Sequence, residues 1–216
     1  MELIKLWFTK FRGLRTLKGI TEDEFNPLDM FIKEGKRVHS ISWTIPEKED
    51  LRKQVLDFLQ FNQTVDLRLY GGTLEKIKID TLYLTENTKS LTLIDMPSID
   101  MTHVFETLPE LTSIHIQNVD ELKKENFLAM YRRLVTYKGL TNLTLELLSF
   151  DIEEVKQEFL EILYVHSDSL RNISLGRNRV SNQFMKEICS SLKEGLAGLE
   201  NLNLLHLKET NKIDWS

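Results

Sequence analysis

Histidine, cysteine and carboxylate groups are where a chain of this kind could do chemistry. The five histidines stand at 39, 103, 115, 166 and 206, and none has a second His or a Cys at the short spacing a zinc site uses. Cys189 is the single cysteine, so no internal disulfide can form. Within Met-Lys-Glu-Ile-Cys-Ser-Ser-Leu it reads as a small buried helix residue rather than an activated thiol. Asp95, Asp100 and Glu106 share a connecting region, but the tight glycine turn of a calcium loop is missing there. Asp151-Ile152-Glu153-Glu154 is suited to starting and capping a helix, where negative charge complements the helix dipole. The patterns G-x-x-x-x-G-K-[ST], G-x-G-x-x-G, H-E-x-x-H, C-x-x-C and G-x-S-x-G do not occur. These residues predict no enzyme, no cofactor and no metal site.

The elements that would position such groups are written in the apolar residues. Leu111-Thr-Ser-Ile114-His-Ile116, Leu140-Thr-Asn-Leu143-Thr-Leu145, Leu170-Arg-Asn-Ile173-Ser-Leu175 and Leu199-Glu-Asn-Leu202-Asn-Leu204 all read L-x-x-L-x-L, starting 29, 30 and 29 residues apart. Upstream, Ile41-Ser-Trp43, Leu67-Arg-Leu69 and Leu91-Thr-Leu93 supply the L-x-L pair, and Leu14-Arg-Thr-Leu17 opens the series. The second apolar position falls at 17, 41, 67, 91, 114, 143, 173 and 202, in steps of 24, 26, 24, 23, 29, 30 and 29. Such periods mark repeat architectures. Residues two apart face one side of a strand, so each pair points inward and the intervening residues point away.

Parallel strands stacked edge to edge each need a crossover. Amphipathic stretches supply it at 49–61 (Leu51, Val55, Phe58, Leu59), 122–137 (Phe127, Leu128, Tyr131, Leu134), 152–165 (Val155, Phe159, Ile162, Leu163) and 182–192 (Phe184, Ile188, Leu192). The expected fold is an α/β solenoid, with parallel strands inside an arc and helices outside. It forms one domain over 1–216: a cap and irregular first repeat over 1–37, repeats over 38–207, and a tail over 208–216 in which Trp215 packs on the last repeat. The segment 1–19 carries Lys5, Lys10, Arg12, Arg15 and Lys18 against Glu2, interleaved with Leu3, Ile4, Leu6, Trp7, Phe8 and Phe11. A helical cap over the open end of the stack accounts for it, and a basic amphipathic contact with a membrane or an acidic partner is the sharper alternative.

Composition agrees with a globular protein. The 216 residues are 41% hydrophobic and 28% charged, with a net charge of −5. Nine Gly and four Pro exclude collagen-like and linker-like chains. No apolar run approaches the roughly 18 residues of a membrane helix. The acidic balance lacks the field of a general nucleic-acid binder, so none is expected as a partner. No secretory signal is visible, and the sequons at Asn62, Asn142 and Asn172 are read as unglycosylated. A reducing compartment, cytoplasmic or nuclear, is expected.

The outward strand positions are Asp66, Arg68 and Tyr70; Ser90, Thr92 and Ile94; Ser113, His115 and Gln117; Asn142, Thr144 and Glu146; Asn172, Ser174 and Gly176; Asn201, Asn203 and Leu205. Most are small, polar and neutral, as on a solvated sheet face. If this face binds a protein, Arg68, Tyr70, Ile94, His115 and Glu146 are the anchors, because large aromatic, Arg and apolar groups concentrate binding energy.

The L-x-x-L-x-L motifs and their helical spacers resemble the leucine-rich repeat superfamily in its ribonuclease-inhibitor-like form, over roughly residues 14–207. The resemblance implies a horseshoe with strands on the concave face. The family often places Asn or Cys three residues after the third apolar position; only Leu175-Gly-Arg-Asn178 does so here, and Val119, Leu148 and Leu207 stand elsewhere. The turns are therefore expected to be irregular. The 29-residue helical repeats look most like the C-terminal repeats of nucleotide-binding, leucine-rich-repeat innate immune sensors. That implies a protein-binding module serving ligand sensing or autoinhibition within a larger receptor. Two other readings stand beside it: the substrate-recognition repeats of an F-box-type ubiquitin ligase, and a structural or assembly subunit of a larger complex.

Overall fold

The computed structural model describes residues 15–20, 28–46, 48–62, 64–71, 87–96, 104, 108, 111–117, 124–146, 152–195, 198–204 and 208–209. Its strands are β1 (Thr16–Ile20), β2 (Ser40–Thr44), β3 (Asp66–Tyr70), β4 (Ser90–Ile94), β5 (Ser113–Gln117), β6 (Asn142–Glu146), β7 (Asn172–Ser174), β8 (Arg179–Val180), β9 (Asn201–Asn203) and β10 (Lys208–Glu209). Its helices are α1 (Leu28–Lys33), α2 (Glu49–Asn62), α3 (Lys124–Thr136), α4 (Glu153–Val165) and α5 (Asn182–Gly195). The expected helices at 49–61, 122–137, 152–165 and 182–192 appear as α2, α3, α4 and α5 with ends within three residues.

Eight strands form one all-parallel sheet in the order β1-β2-β3-β4-β5-β6-β7-β9. The order never reverses. Because parallel crossovers are right-handed, an order that never reverses puts the described crossover helices on one face of the sheet. Within the helix layer α1 packs on α2, α3 on α4, and α4 on α5.

The register follows the apolar repeat. Leu17, Ile41, Leu67, Leu91, Ile114, Leu143, Ile173 and Leu202 are successive cross-strand partners. Beside them run Trp43, Leu69, Leu93, Ile116 and Leu145. A shift of one residue would turn every one of these side chains to the open face, so burial locks the pairing. The main chain repeats as strictly. The carbonyls of Arg15, His39, Val65, Lys89, Thr112, Thr141 and Arg171 each accept the two consecutive amides that open the next strand, at 2.8–3.2 Å.

The core lies between sheet and helices. Leu111, Leu140 and Leu170, the first apolar residues of three repeats, are fully buried, as are Val155, Phe159 and Ile162 of α4. Tyr131, Phe159 and Phe184, one from each of α3, α4 and α5, stack edge to face with centroids 6.4 and 6.1 Å apart. Burial drives the Tyr131 hydroxyl strongly towards its neutral form.

Several expectations change. Leu202 is expected to be buried but is 39% exposed, because β9 is the last strand of its sheet among the described residues. Gly176 does not extend the open face: β7 stops at Ser174, and Gly176 is buried in the turn that follows. Leu128 and Leu192 are only partly buried, while Met130 and Met185 fill core positions on the same helices. The short parallel pair of β8 with β10 carries no repeat signature. The acidic cluster starts α4 as its charge implies, with Glu153 and Glu154 in the first turn. Ile152 is the N-cap and no side chain bonds there; the Glu153 carboxylate instead accepts from Lys156 Nζ at 3.1 Å and Gln157 Nε2 at 3.0 Å. Residues 1–14, Asp100, His103, Glu106, Val119, Leu148, Asp151, Leu205, His206, Leu207 and Trp215 lie outside the described residues.

Candidate functional site on the open sheet face

The side chains alternating with the core residues stand in columns across the open face. One column runs Ser40, Asp66, Ser90, Ser113, Asn142, Asn172 and Asn201. The next runs Ser42, Arg68, Thr92, His115, Thr144, Ser174 and Asn203. A third holds Thr44, Tyr70, Ile94, Gln117 and Glu146. The five sequence-predicted anchors therefore occupy two adjacent columns on four successive strands, β3 to β6. Tyr70 and Ile94 are direct cross-strand partners. Arg68 and His115 share a column with Thr92 between them, a span of roughly 10 Å at the usual strand spacing. Glu146 closes the third column on the far side of Gln117.

Each anchor has a distinct setting. Arg68 is exposed, and its Nη2 lies 3.2 Å from Asp66 Oδ2, which also accepts from Ser40 Oγ at 3.0 Å. Both Arg68 and Asp66 sit on one strand two residues apart, so they share a face. Tyr70 and Ile94 are half-buried. Glu146 accepts from Ser174 Oγ at 3.1 Å.

His115 is half-buried, and its Nε2 has neither solvent contact nor a hydrogen-bond partner among the described residues. Burial lowers its pKa from the usual 6.5; Glu146 and the Gln117 side chain act in the opposite sense, and Arg68 adds to the lowering. The imidazole is thus neutral at physiological pH.

The polar columns are less available than their composition suggests. Asn172 Nδ2 donates to Asn142 Oδ1 and Asn201 Nδ2 to Asn172 Oδ1, both at 2.6 Å, while Asn142 Nδ2 donates to Thr141 Oγ1 at 2.9 Å. Asn203 Nδ2 reaches Ser174 Oγ at 3.2 Å. The amides from β6 onward are spent on one another as a ladder. The column of Asn at steps of 30 and 29 residues is visible in the sequence, but its self-pairing is not. Thr92, though on the open face, is buried between Arg68 and His115. What remains accessible is a band of one guanidinium, one phenol, one aliphatic side chain and one carboxylate around a neutral imidazole. Such a band can bind by shape, apolar contact and directed hydrogen bonds.

Elsewhere, the described residues bring no three His, Cys, Asp or Glu side chains together as metal ligands. No helix among them is long and apolar enough to cross a membrane. No protein-family model matches the sequence, and neither does any curated protein.

Proposed function

We propose that this chain is a non-catalytic protein-interaction module, and that its repeats are leucine-rich repeats of the ribonuclease-inhibitor-like kind. The supporting observation is the one-sided sheet: eight parallel strands in unbroken order, with one face packed under helices and the other lined by the Arg68–Tyr70–Ile94–His115–Glu146 band. Strands repeat every ~4.8 Å whereas packed helices need about 8–10 Å. A sheet covered on one face alone therefore bends with its strands inside, which would place the band on a concave surface. Asn178 supports the family reading, since its buried amide donates to the Leu145 and Leu175 carbonyls at 2.6 and 2.9 Å, the turn role that the resemblance implies.

In this reading the partner is a protein, the setting is cytoplasmic, and the 29- to 30-residue units form the ligand-sensing or autoinhibitory repeats of a larger innate immune receptor. The deciding experiment is affinity capture with quantitative mass spectrometry, comparing wild type with Tyr70→Ala plus His115→Ala. A set of partners depleted at least about tenfold by the double substitution is expected. An unchanged partner profile from an equally folded variant would refute the assignment of this face.

A further inference from the structure

Among the described residues, the exposed large hydrophobics are Tyr164, Val165 and Leu202. Leu202 follows from its place at the end of the sheet. Tyr164 and Val165, 77% and 43% exposed, lie side by side in the last turn of α4, on the helix layer and away from the open sheet face. Nothing in the core requires them there: the buried side of α4 is made by Val155, Phe159, Ile162 and Leu163.

Two exposed acids flank this pair along the chain. Glu161 precedes Tyr164 by three residues, and Asp168 follows it by four, in the turn after the helix. Other acids of α4 are engaged: Glu153 with Lys156 and Gln157, Glu158 with Arg132 Nε at 2.8 Å, and Glu154 with a partner of its own. Neither Glu161 nor Asp168 makes an ion pair among the described residues. Arg171, the nearby cation, directs Nη1 to the main-chain carbonyls of Asp168 and Leu170 at 3.0 and 3.1 Å, not to the Asp168 carboxylate. The last turn of α4 also carries no basic residue, so the negative end of its dipole is uncompensated by its own side chains.

We propose that the C-terminal end of α4 is a second docking surface, and that its occupant is a basic amphipathic helix of a protein partner. Complementarity sets the pattern of that helix. Seven residues of helix span about 10 Å, so cations at i and i+7 meet Glu161 and Asp168 while apolar residues at i+3 and i+4 cover Tyr164 and Val165. Tyrosine suits this position because it buries a large rigid ring at small entropic cost and keeps a hydroxyl for the rim.

The test uses the full chain and a synthetic helical peptide with Lys at i and i+7 and Leu at i+3 and i+4 on one face, and Ala and Gln elsewhere. Titration at low ionic strength, followed by fluorescence anisotropy, is expected to show saturable binding to wild type. Tyr164→Ala should weaken it roughly tenfold without moving the melting temperature, since that side chain is 77% exposed; Val165→Ser, at a side chain only 43% exposed, should weaken it further. Glu161→Gln plus Asp168→Asn should weaken it and flatten its salt dependence. Tyr70→Ala plus His115→Ala should leave it unchanged, which separates this surface from the sheet face. Absence of binding to wild type overturns the proposal. So does undiminished binding by the Tyr164→Ala variant, or equal binding of a peptide whose lysines are moved to the opposite face.

Discussion

Asn178 and Gly71 each carry a structural duty set by the backbone around them. The Asn178 side chain is fully buried and links the last residue of the β6 apolar pair, Leu145, to Leu175 of the following repeat. Asn178→Ala leaves two buried carbonyls without that donor and is expected to cost about 2–3 kcal/mol in denaturant unfolding. Gly71 follows Tyr70, and a Cβ there would run into the Asp95 carbonyl oxygen, a backbone atom that cannot rotate away. Gly71→Ala should therefore destabilise by about 1–3 kcal/mol; an unchanged denaturation midpoint would show that the β3–β4 exit is looser than drawn.

His115 gives a pH dependence whose sign is fixed. Its folded-state pKa lies below the unfolded value near 6.5, so on acidification the unfolded chain takes up the proton first. Its contribution is intact above pH 6.5 and is lost as pH falls through the window below it. Thermal melts at pH 7.5 and 5.5 should show a smaller acid-induced drop in Tm for His115→Gln than for wild type. Asn62 is also settled at this scale: it is buried, accepting from the Val38 amide at 2.9 Å and donating to the Phe58 carbonyl at 3.0 Å, so its sequon is closed to a glycan in the folded chain.

Strands and helices in this chain are stabilised by their neighbours more than by their own propensities. The α4 helix has no side-chain cap at its start. Its position is set by Val155, Phe159, Ile162 and Leu163, by the aromatic contacts to Tyr131 and Phe184, and by buried His166, whose Nε2 lies 2.8 Å from the Leu134 carbonyl at the end of α3. The same dependence separates two residues that look alike in the motif. Leu145 on β6 is fully buried, and Leu145→Asp would place an unpaired charge in the core, at a cost of at least about 4 kcal/mol. Leu202 on β9 is part-exposed, and Leu202→Asp should cost under about 1.5 kcal/mol. Equal losses for the two, measured by chemical denaturation, would contradict the strand order at the β9 end. The L-x-x-L-x-L spacing makes both residues equivalent; only the count of neighbouring strands distinguishes them.

For the molecule as a whole, the unbroken order β1-β2-β3-β4-β5-β6-β7-β9 means that each strand contacts only the strands before and after it. Stability in such an array is close to a sum of nearest-neighbour interfaces. Amide hydrogen exchange should accordingly be slowest in β4, β5 and β6 and fastest in β9, and uniform protection across the sheet would point to a single cooperative core instead.

The amino-acid order alone carried the strand column from Leu17 to Leu202, the four long helices and the outward positions of Arg68, Tyr70, Ile94, His115 and Glu146, because each follows from a local period of two or 3.6. Three things became visible only in three dimensions: the Asn142–Asn172–Asn201 ladder, the burial of Thr92, and Glu161 and Asp168 left without an ion pair among the described residues near exposed Tyr164. These depend on distances between residues of different repeats, or on which partners a charge finds. Chain spacing does not encode such distances until the strands have been stacked.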